Sequence, residues 1–117
     1  ASDRRLAELR VAIPEVTPEQ AHALQVDGAA LVDVREPNEY EINQIPGSVL
    51  IPKGEFLNGN ALEQLSQDKP VVLHCKSGVR SAEALAALKR AGFADATHLQ
   101  GGVTAWANQV DKTLPVY

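Results

Sequence analysis

Short apolar runs alternate with helical segments along most of this chain, and this alternation is the feature that most constrains its fold. The clearest pair is Val71–His74, the most strand-like run, followed by a helix expected over Ser81–Ala91. Leu85 and Leu88 lie on one face of that helix, and Gly92 stands where a glycine commonly ends a helix. Strands and helices that alternate in this way form a parallel sheet with helices on both faces. We therefore expect an α/β fold with a mainly parallel sheet of four to five strands.

The remaining elements follow from the same patterns. Three more strands are expected, over Ala30–Val34, Val49–Ile51 and Thr97–Leu99. Other helical segments are expected over Pro18–Val26, about Asn60–Leu65 and Val103–Val110, with one helical turn near Tyr40. The first of these helices follows Thr17-Pro18-Glu19-Gln20, a capping box with proline at the first helical position. Residues 1–14 are expected to be a lead-in or linker, and residues 15–117 a single domain.

Composition excludes several classes of protein. The chain has 117 residues, 44% of them hydrophobic, which fits one globular domain. Its net charge of −4 and the lack of a long basic run argue against nucleic-acid binding. No apolar stretch is long enough to span a membrane, and the start of the chain lacks the apolar segment of a secretory signal. We expect a cytoplasmic protein with neither nucleic-acid nor membrane partners.

The single cysteine, Cys75, directly follows the most strand-like run and begins the loop before the strongest helix. In open α/β sheets, ligands bind at the carboxyl ends of the strands. Backbone amides in such a loop, a positive φ at Gly78, the helix N-terminus and the charges of Lys76 and Arg80 all favour a thiolate. Most lone cysteines are buried and inert, but this position favours Cys75 as a nucleophile.

Four motifs in this order resemble those of the rhodanese family of sulfurtransferases. They are Asp33–Glu36 with Glu39 and Tyr40, Ile45–Ser48 with Ile51 and Pro52, the loop Cys75–Ser81, and Gly101-Gly102 with Trp106. They extend over most of the chain, from about Val16 to Trp106. Within the family, the chain resembles the C-terminal rhodanese domain of bacterial adenylyltransferase–sulfurtransferase fusions, which serve molybdopterin-synthase-type sulfur carriers. Ser81–Leu85 and the Val116-Tyr117 ending carry this narrower resemblance.

The resemblance implies a rhodanese-like fold and sulfur transfer through a persulfide on Cys75. The donor would be thiosulfate or a protein persulfide such as that of a cysteine desulfurase. The acceptor would be a small thiophile or a ubiquitin-like sulfur-carrier protein, activated by an adenylyltransferase domain. No metal or organic cofactor is implied. The residues expected to hold the persulfide are those of the loop: Lys76, Ser77, Gly78, Val79, Arg80 and Ser81.

Three charged residues at or after the expected strand Ala30–Val34 are expected to support the site: Asp33, Arg35 and Glu39. Arg35 is expected to pair with Glu39 or Glu41 and so fix the loop after that strand, although it could instead contact an anionic substrate. Asp33 at the strand end has the position of a catalytic carboxylate, but hydrogen bonding to neighbouring turns is the favoured interpretation.

Other residues with chemical potential have ordinary interpretations. His74 adjoins the nucleophile, but neighbouring strand residues point to opposite faces, so it is a poor general base. His22 and His98 are too scattered for a metal cluster. Trp106 is expected in the core. Ser77 could either contact the persulfide or support the turn.

Two alternative functions remain open at this point. Four residues separate Cys75 from Arg80, one fewer than in cysteine phosphatases, and this shorter loop favours sulfur transfer over a phosphatase or arsenate reductase. A non-catalytic binding or regulatory module is the other alternative.

The chain also departs from the family pattern, because Gln44 stands where a histidine is frequent and Ser48 where an alanine is frequent.

Overall fold

The structure, a computed structural model, describes residues 14–115; the expected lead-in up to residue 13 and the Val116-Tyr117 ending lie outside them. One sheet contains five strands of this part of the chain: β1 (Glu15–Val16), β2 (Ala30–Asp33), β3 (Val49–Leu50), β4 (Val71–His74) and β5 (Ala96–Leu99). The strands lie in the order β1-β5-β4-β2-β3, and every neighbouring pair is parallel. The predicted α/β fold with a parallel sheet is confirmed.

Helices connect the strands. They are α1 (Pro18–Val26), α2 (Pro37–Ile42), α3 (Lys53–Leu57), a 3-10 helix (Asn60–Glu63), α4 (Val79–Arg90) and α5 (Gly102–Gln109). The predicted capping box is present, since the Gln20 amide donates to the Thr17 hydroxyl and the Thr17 amide donates to the Gln20 side chain. None of the helices in residues 14–115 is long and apolar enough to cross a membrane.

Two hydrophobic cores lie on the two faces of the sheet. Alternation along β4 divides them, because Val71 and Leu73 pack on one face and Val72 on the other. The first core includes Leu85 and Leu88 of α4, and also Cys75. The second includes residues of α1 and α5, with Ala21, Val103 and Trp106 among them. Helices therefore cover both faces, and Trp106 is buried as predicted.

Some element boundaries differ from the sequence-based expectation. The edge strand β1 was not predicted, because two residues are too few to show an alternating pattern. Helix α3 was also missed, since it has only five residues and contains Gly54. The helix expected over Asn60–Leu65 is a shorter 3-10 helix. Helix α4 begins at Val79 rather than Ser81, because Gly78 turns the chain into the helix.

Candidate active site

The loop between β4 and α4 holds the thiol of Cys75. Gly78 precedes the helix with φ +113°, a left-handed conformation that favours glycine, and this curls the loop back on itself. As a result the Gly78 amide donates a hydrogen bond to Cys75 Sγ at 3.0 Å. The thiol is buried, with 1% of the Cys75 residue exposed. Ser77 of the loop and Val79 at the start of α4 are exposed, and Lys76 is half-buried.

The first residues of α5 hold the Cys75 loop in place through two backbone hydrogen bonds. The Val103 amide donates to the carbonyl oxygen of Cys75 at 2.8 Å, and the Thr104 amide donates to that of Lys76 at 3.3 Å. These are amides that a helix N-terminus leaves without intrahelical partners. Gly102 has φ +61°, and a β-carbon on it would lie 2.4 Å from both carbonyl oxygens. The Gly101-Gly102 pair in the sequence therefore allows two backbone segments to approach closely.

Arg80, in the first turn of α4, is fixed by a carboxylate from α2. Its two terminal nitrogens bind the two oxygens of Glu39, at 2.5 and 2.9 Å. Such a two-point pair is stronger and more directional than a single contact. The structure thus links the C-terminal side of the cysteine loop to the helix that follows β2.

Asp33 and Arg35 form a buried ion pair at the end of β2. The Arg35 guanidinium lies 2.6 Å from Asp33 Oδ2 and also donates to the side chain and carbonyl oxygens of Asn43. The expected pairing of Arg35 with Glu39 or Glu41 is therefore wrong. The backbone turns between Asp33 and Arg35, so the Asp33 carboxylate is the one that binds the Arg35 guanidinium. Glu39 instead binds Arg80.

The environment of Asp33 keeps it ionised. Burial raises the pKa of Asp33, but contacts with His74 and Arg35 outweigh this effect and lower the pKa from 3.8 to about 2. Nε2 of the buried His74 lies 3.5 Å from Asp33 Oδ2. Cys75 packs in the core on the other face of the sheet, so the two neighbours point apart as the alternation predicts.

Ser81 lies beside the thiol, His98 lies beside Ser81, and Glu15 lies on the far side of His98. Ser81 Oγ is 3.6 Å from Cys75 Sγ and 3.1 Å from His98 Nδ1. The other ring nitrogen of His98 lies 3.3 Å from Glu15 Oε2. Burial lowers the pKa of His98 below 6.5, and the Glu15 carboxylate opposes that shift. Sequence reasoning missed His98 and Glu15, because they reach the site only through the strand order, in which β5 lies next to β4 and β1 next to β5.

An open pocket of about 700 Å³ adjoins these residues. It is lined by Glu15, Ser77, Gly78, Val79, Ala82, Glu83 and His98. Glu83 is also bound by Lys53, at 3.2 Å. The pocket therefore lies between the first turns of α4 and the strands β1 and β5, on the side of the loop where His98 is found.

The family-pattern departures lie away from the loop in sequence and have local partners. The exposed Gln44 donates from its side chain to the Tyr40 carbonyl oxygen at 3.3 Å. The Tyr40 hydroxyl donates to the Ser48 carbonyl oxygen at 2.8 Å. Among residues 14–115, no group of three or more His, Cys, Asp or Glu side chains is arranged to hold a metal ion.

Comparison with known proteins shows the family of this chain. A family profile described as "Rhodanese-like domain" matches residues 17–109. The chain is 56% identical over 88 residues to the probable adenylyltransferase/sulfurtransferase MoeZ of Mycobacterium tuberculosis, covering 75% of this chain and 22% of that protein. It is 40% identical over 91 residues to the thiosulfate sulfurtransferase GlpE of Pseudomonas syringae, covering 78% of this chain and 84% of GlpE.

Solved structures give the same correspondence for the fold. Reduced CoADR-RHD from Bacillus anthracis matches with a TM-score of 0.78 and 28% identity, over 90% of this chain and 18% of that chain. The chain thus spans only about a fifth of the length of MoeZ and of CoADR-RHD. It spans 84% of the shorter GlpE.

Proposed function

Because the chain belongs to the rhodanese-like domain family, we propose that it is a sulfurtransferase that carries sulfane sulfur on Cys75. The observation that carries the proposal is the position of the thiol. Cys75 Sγ lies at the carboxyl end of a central strand and accepts the Gly78 amide at 3.0 Å. A donor amide at this distance stabilises negative charge on sulfur, both in a thiolate and in a persulfide.

The proposed first step is a displacement at sulfur. The Cys75 thiolate attacks the outer sulfur of thiosulfate, a sulfur–sulfur bond forms, and the bond to the sulfite group breaks with its electron pair leaving on sulfite. The product is a Cys75 persulfide with a negative outer sulfur. We expect loop residues Lys76 to Ser81 to hold this group, and Arg80 fixes the start of α4 through Glu39. A protein persulfide, such as that of a cysteine desulfurase, would serve as donor by the same displacement.

We further propose a sulfur-carrier protein as the acceptor. The similarity to a protein named as an adenylyltransferase/sulfurtransferase supports this choice. The persulfide would attack the adenylated C-terminus of a ubiquitin-like carrier, releasing AMP and forming an acyl disulfide. A second thiol must then reduce this acyl disulfide to release the thiocarboxylate. Cys75 is the single cysteine of the chain, so that thiol has to come from another domain or protein.

Intact-protein mass spectrometry tests the persulfide. The reduced protein is treated with thiosulfate and, separately, with a cysteine desulfurase and cysteine, beside a Cys75→Ser variant. We expect the wild type alone to gain one sulfur atom, which cyanide removes as thiocyanate. A gain with the desulfurase only would retain the mechanism and identify a protein donor. No gain with either donor would reject the proposal and favour a non-catalytic binding module.

A phosphatase or arsenate-reductase activity is the contrasting outcome. The same preparation is assayed with a chromogenic aryl phosphate and with arsenate plus a thiol reductant. We expect no turnover that depends on Cys75. Turnover of either oxyanion that is lost in Cys75→Ser would favour this alternative over sulfur transfer.

A further inference from the structure

We propose that Ser81, His98 and Glu15 form a proton relay that accepts the thiol proton of Cys75 when its thiolate forms. The inference rests on the proposed function, because it concerns how the nucleophile of that reaction is generated. None of the three residues has to touch the sulfur donor. They act through Cys75, and each comes from a different element: Ser81 from α4, His98 from β5 and Glu15 from β1.

The four groups make a continuous line of contacts. Cys75 Sγ lies 3.6 Å from Ser81 Oγ, which lies 3.1 Å from His98 Nδ1. His98 Nε2 lies 3.3 Å from Glu15 Oε2. These distances fit a thiol–hydroxyl contact, a hydroxyl–imidazole hydrogen bond and an imidazole–carboxylate contact in sequence. The arrangement follows the logic of a catalytic triad, with a serine placed between the nucleophile and the histidine.

Burial distinguishes this line from a surface hydrogen-bond chain. Ser81 is fully buried, and His98 is 5% exposed. Glu15 at the other end has a side chain that is 49% exposed. The relay therefore connects a buried thiol to the solvent at the pocket beside β1, and a proton that reaches this end can exchange with water.

The proton transfers balance without any other reactant. In the resting state the thiol donates to Ser81 Oγ, the Ser81 hydroxyl donates to His98 Nδ1, and His98 carries its ring proton on Nε2, 3.3 Å from the Glu15 carboxylate. The hydroxyl proton then moves to Nδ1 while the thiol proton moves to Ser81 Oγ. The products are a thiolate and an imidazolium, and the imidazolium is paired with the Glu15 carboxylate. The new Ser81 hydroxyl and the Gly78 amide can both donate to the thiolate.

The charges around His98 are suited to this role. Burial lowers the pKa of His98 from its ordinary value, which favours the neutral ring that can accept a proton. Glu15 opposes the shift and stabilises the imidazolium. Glu83 of α4 lines the same pocket, but Lys53 binds it. The Gly78 carbonyl, 3.2 Å from Ser81 Oγ, is an alternative acceptor for the hydroxyl proton in the resting state.

The test measures how fast Cys75 reacts with iodoacetamide, a small neutral reagent, between pH 5 and pH 10. We expect His98→Asn to slow the reaction at pH 7 by about tenfold and to shift its pH profile upwards. His22→Asn is the matched control, since His22 is exposed and its ring packs on Trp106. We expect this control to react like the wild type.

Glu15→Gln is the second variant, because removing an exposed charge leaves the buried contacts of His98 intact. We expect a smaller slowing in the same direction, since the imidazolium loses its counter-charge. Circular dichroism checks that each variant is folded. Rates and pH profiles that match the wild type in folded His98→Asn and Glu15→Gln would overturn the relay.

The relay and the proposed function fail in different measurements. Iodoacetamide reports thiolate formation whether or not a sulfur donor is accepted. Slower alkylation in the variants, together with no persulfide formation in the wild type, would reject the sulfurtransferase but keep the relay. Normal alkylation in the variants, together with persulfide formation in the wild type, would reject the relay alone.

Discussion

Gly102 lies so close to Cys75 that a β-carbon at position 102 would stand 2.4 Å from the Cys75 carbonyl oxygen. Real β-carbons do not approach an oxygen this closely, so the loop and α5 fit together only because Gly102 has no side chain. The contact links the Gly101-Gly102 motif to Cys75.

Gly102→Ala should therefore displace the cysteine loop. We expect a loss of about 1–3 kcal/mol in the free energy of unfolding, the usual cost of overpacking, together with slower persulfide formation. Urea denaturation and intact-mass kinetics with thiosulfate measure the two effects. Gly54→Ala is the matched control, because a β-carbon there meets nothing within 4 Å and alanine favours the helix. A Gly102→Ala protein as stable and as reactive as the control would contradict the argument.

Arg35→Met should destabilise the protein strongly. It leaves the fully buried Asp33 carboxylate without its guanidinium, a change that costs about 3–5 kcal/mol for a buried ion pair. Lys53→Met provides the contrast, because it breaks the partly exposed pair with Glu83 and should cost at most about 1 kcal/mol. Urea denaturation of both proteins gives the comparison. Equal losses would mean that the buried pair contributes no more than a surface one.

Asp33 should also govern stability in acid. Its pKa in the folded protein is about 2, against an ordinary 3.8, so it binds fewer protons when folded than when unfolded between these values. The resulting stabilisation is fully present above about pH 4 and is lost as the pH falls towards 2; the difference in pKa corresponds to about 2 kcal/mol. The free energy of unfolding of the wild type should fall more steeply than that of Asp33→Asn across this range. Parallel curves for the two proteins would contradict this assignment.

Glu39→Gln should loosen the start of α4. It removes the two-point ion pair with Arg80, and because both side chains are partly exposed we expect a loss of about 0.5–1 kcal/mol in stability. We expect a several-fold slower rate of persulfide formation, since the helix start carries the loop. Glu41→Gln, an exposed neighbour on α2, is the control. If both variants form the persulfide at the wild-type rate, the pair has no role in positioning the loop.

The sequence predicts the fold better than it predicts the contacts within the site. β4 was predicted over its observed range, because four apolar or strand-forming residues stand between clear turn signals. β1 and α3 were not predicted, since each is too short for a periodic pattern and is stabilised by neighbours distant in sequence. β1, for example, exists through its pairing with β5.

Within the site, local geometry was predictable and long-range pairing was not. The loop after β4 and the left-handed turn at Gly78 follow from a few consecutive residues. The partner of Arg35 was predicted wrongly, because a sequence pattern does not reveal which of several nearby carboxylates a buried guanidinium will reach. The proximity of Ser81 to His98 depends on the strand order β5-β4, which periodicity does not determine.

The hydrogen bonds from α5 to the cysteine loop also set an order of events during synthesis on the ribosome. The carbonyl groups of Cys75 and Lys76 are bound by the amides of Val103 and Thr104, which are translated later. Until α5 has left the exit tunnel, a nascent chain presents its thiol without the support that shapes the loop. A chain cut off before α5 would therefore lack the two amides that hold the Cys75 loop in shape.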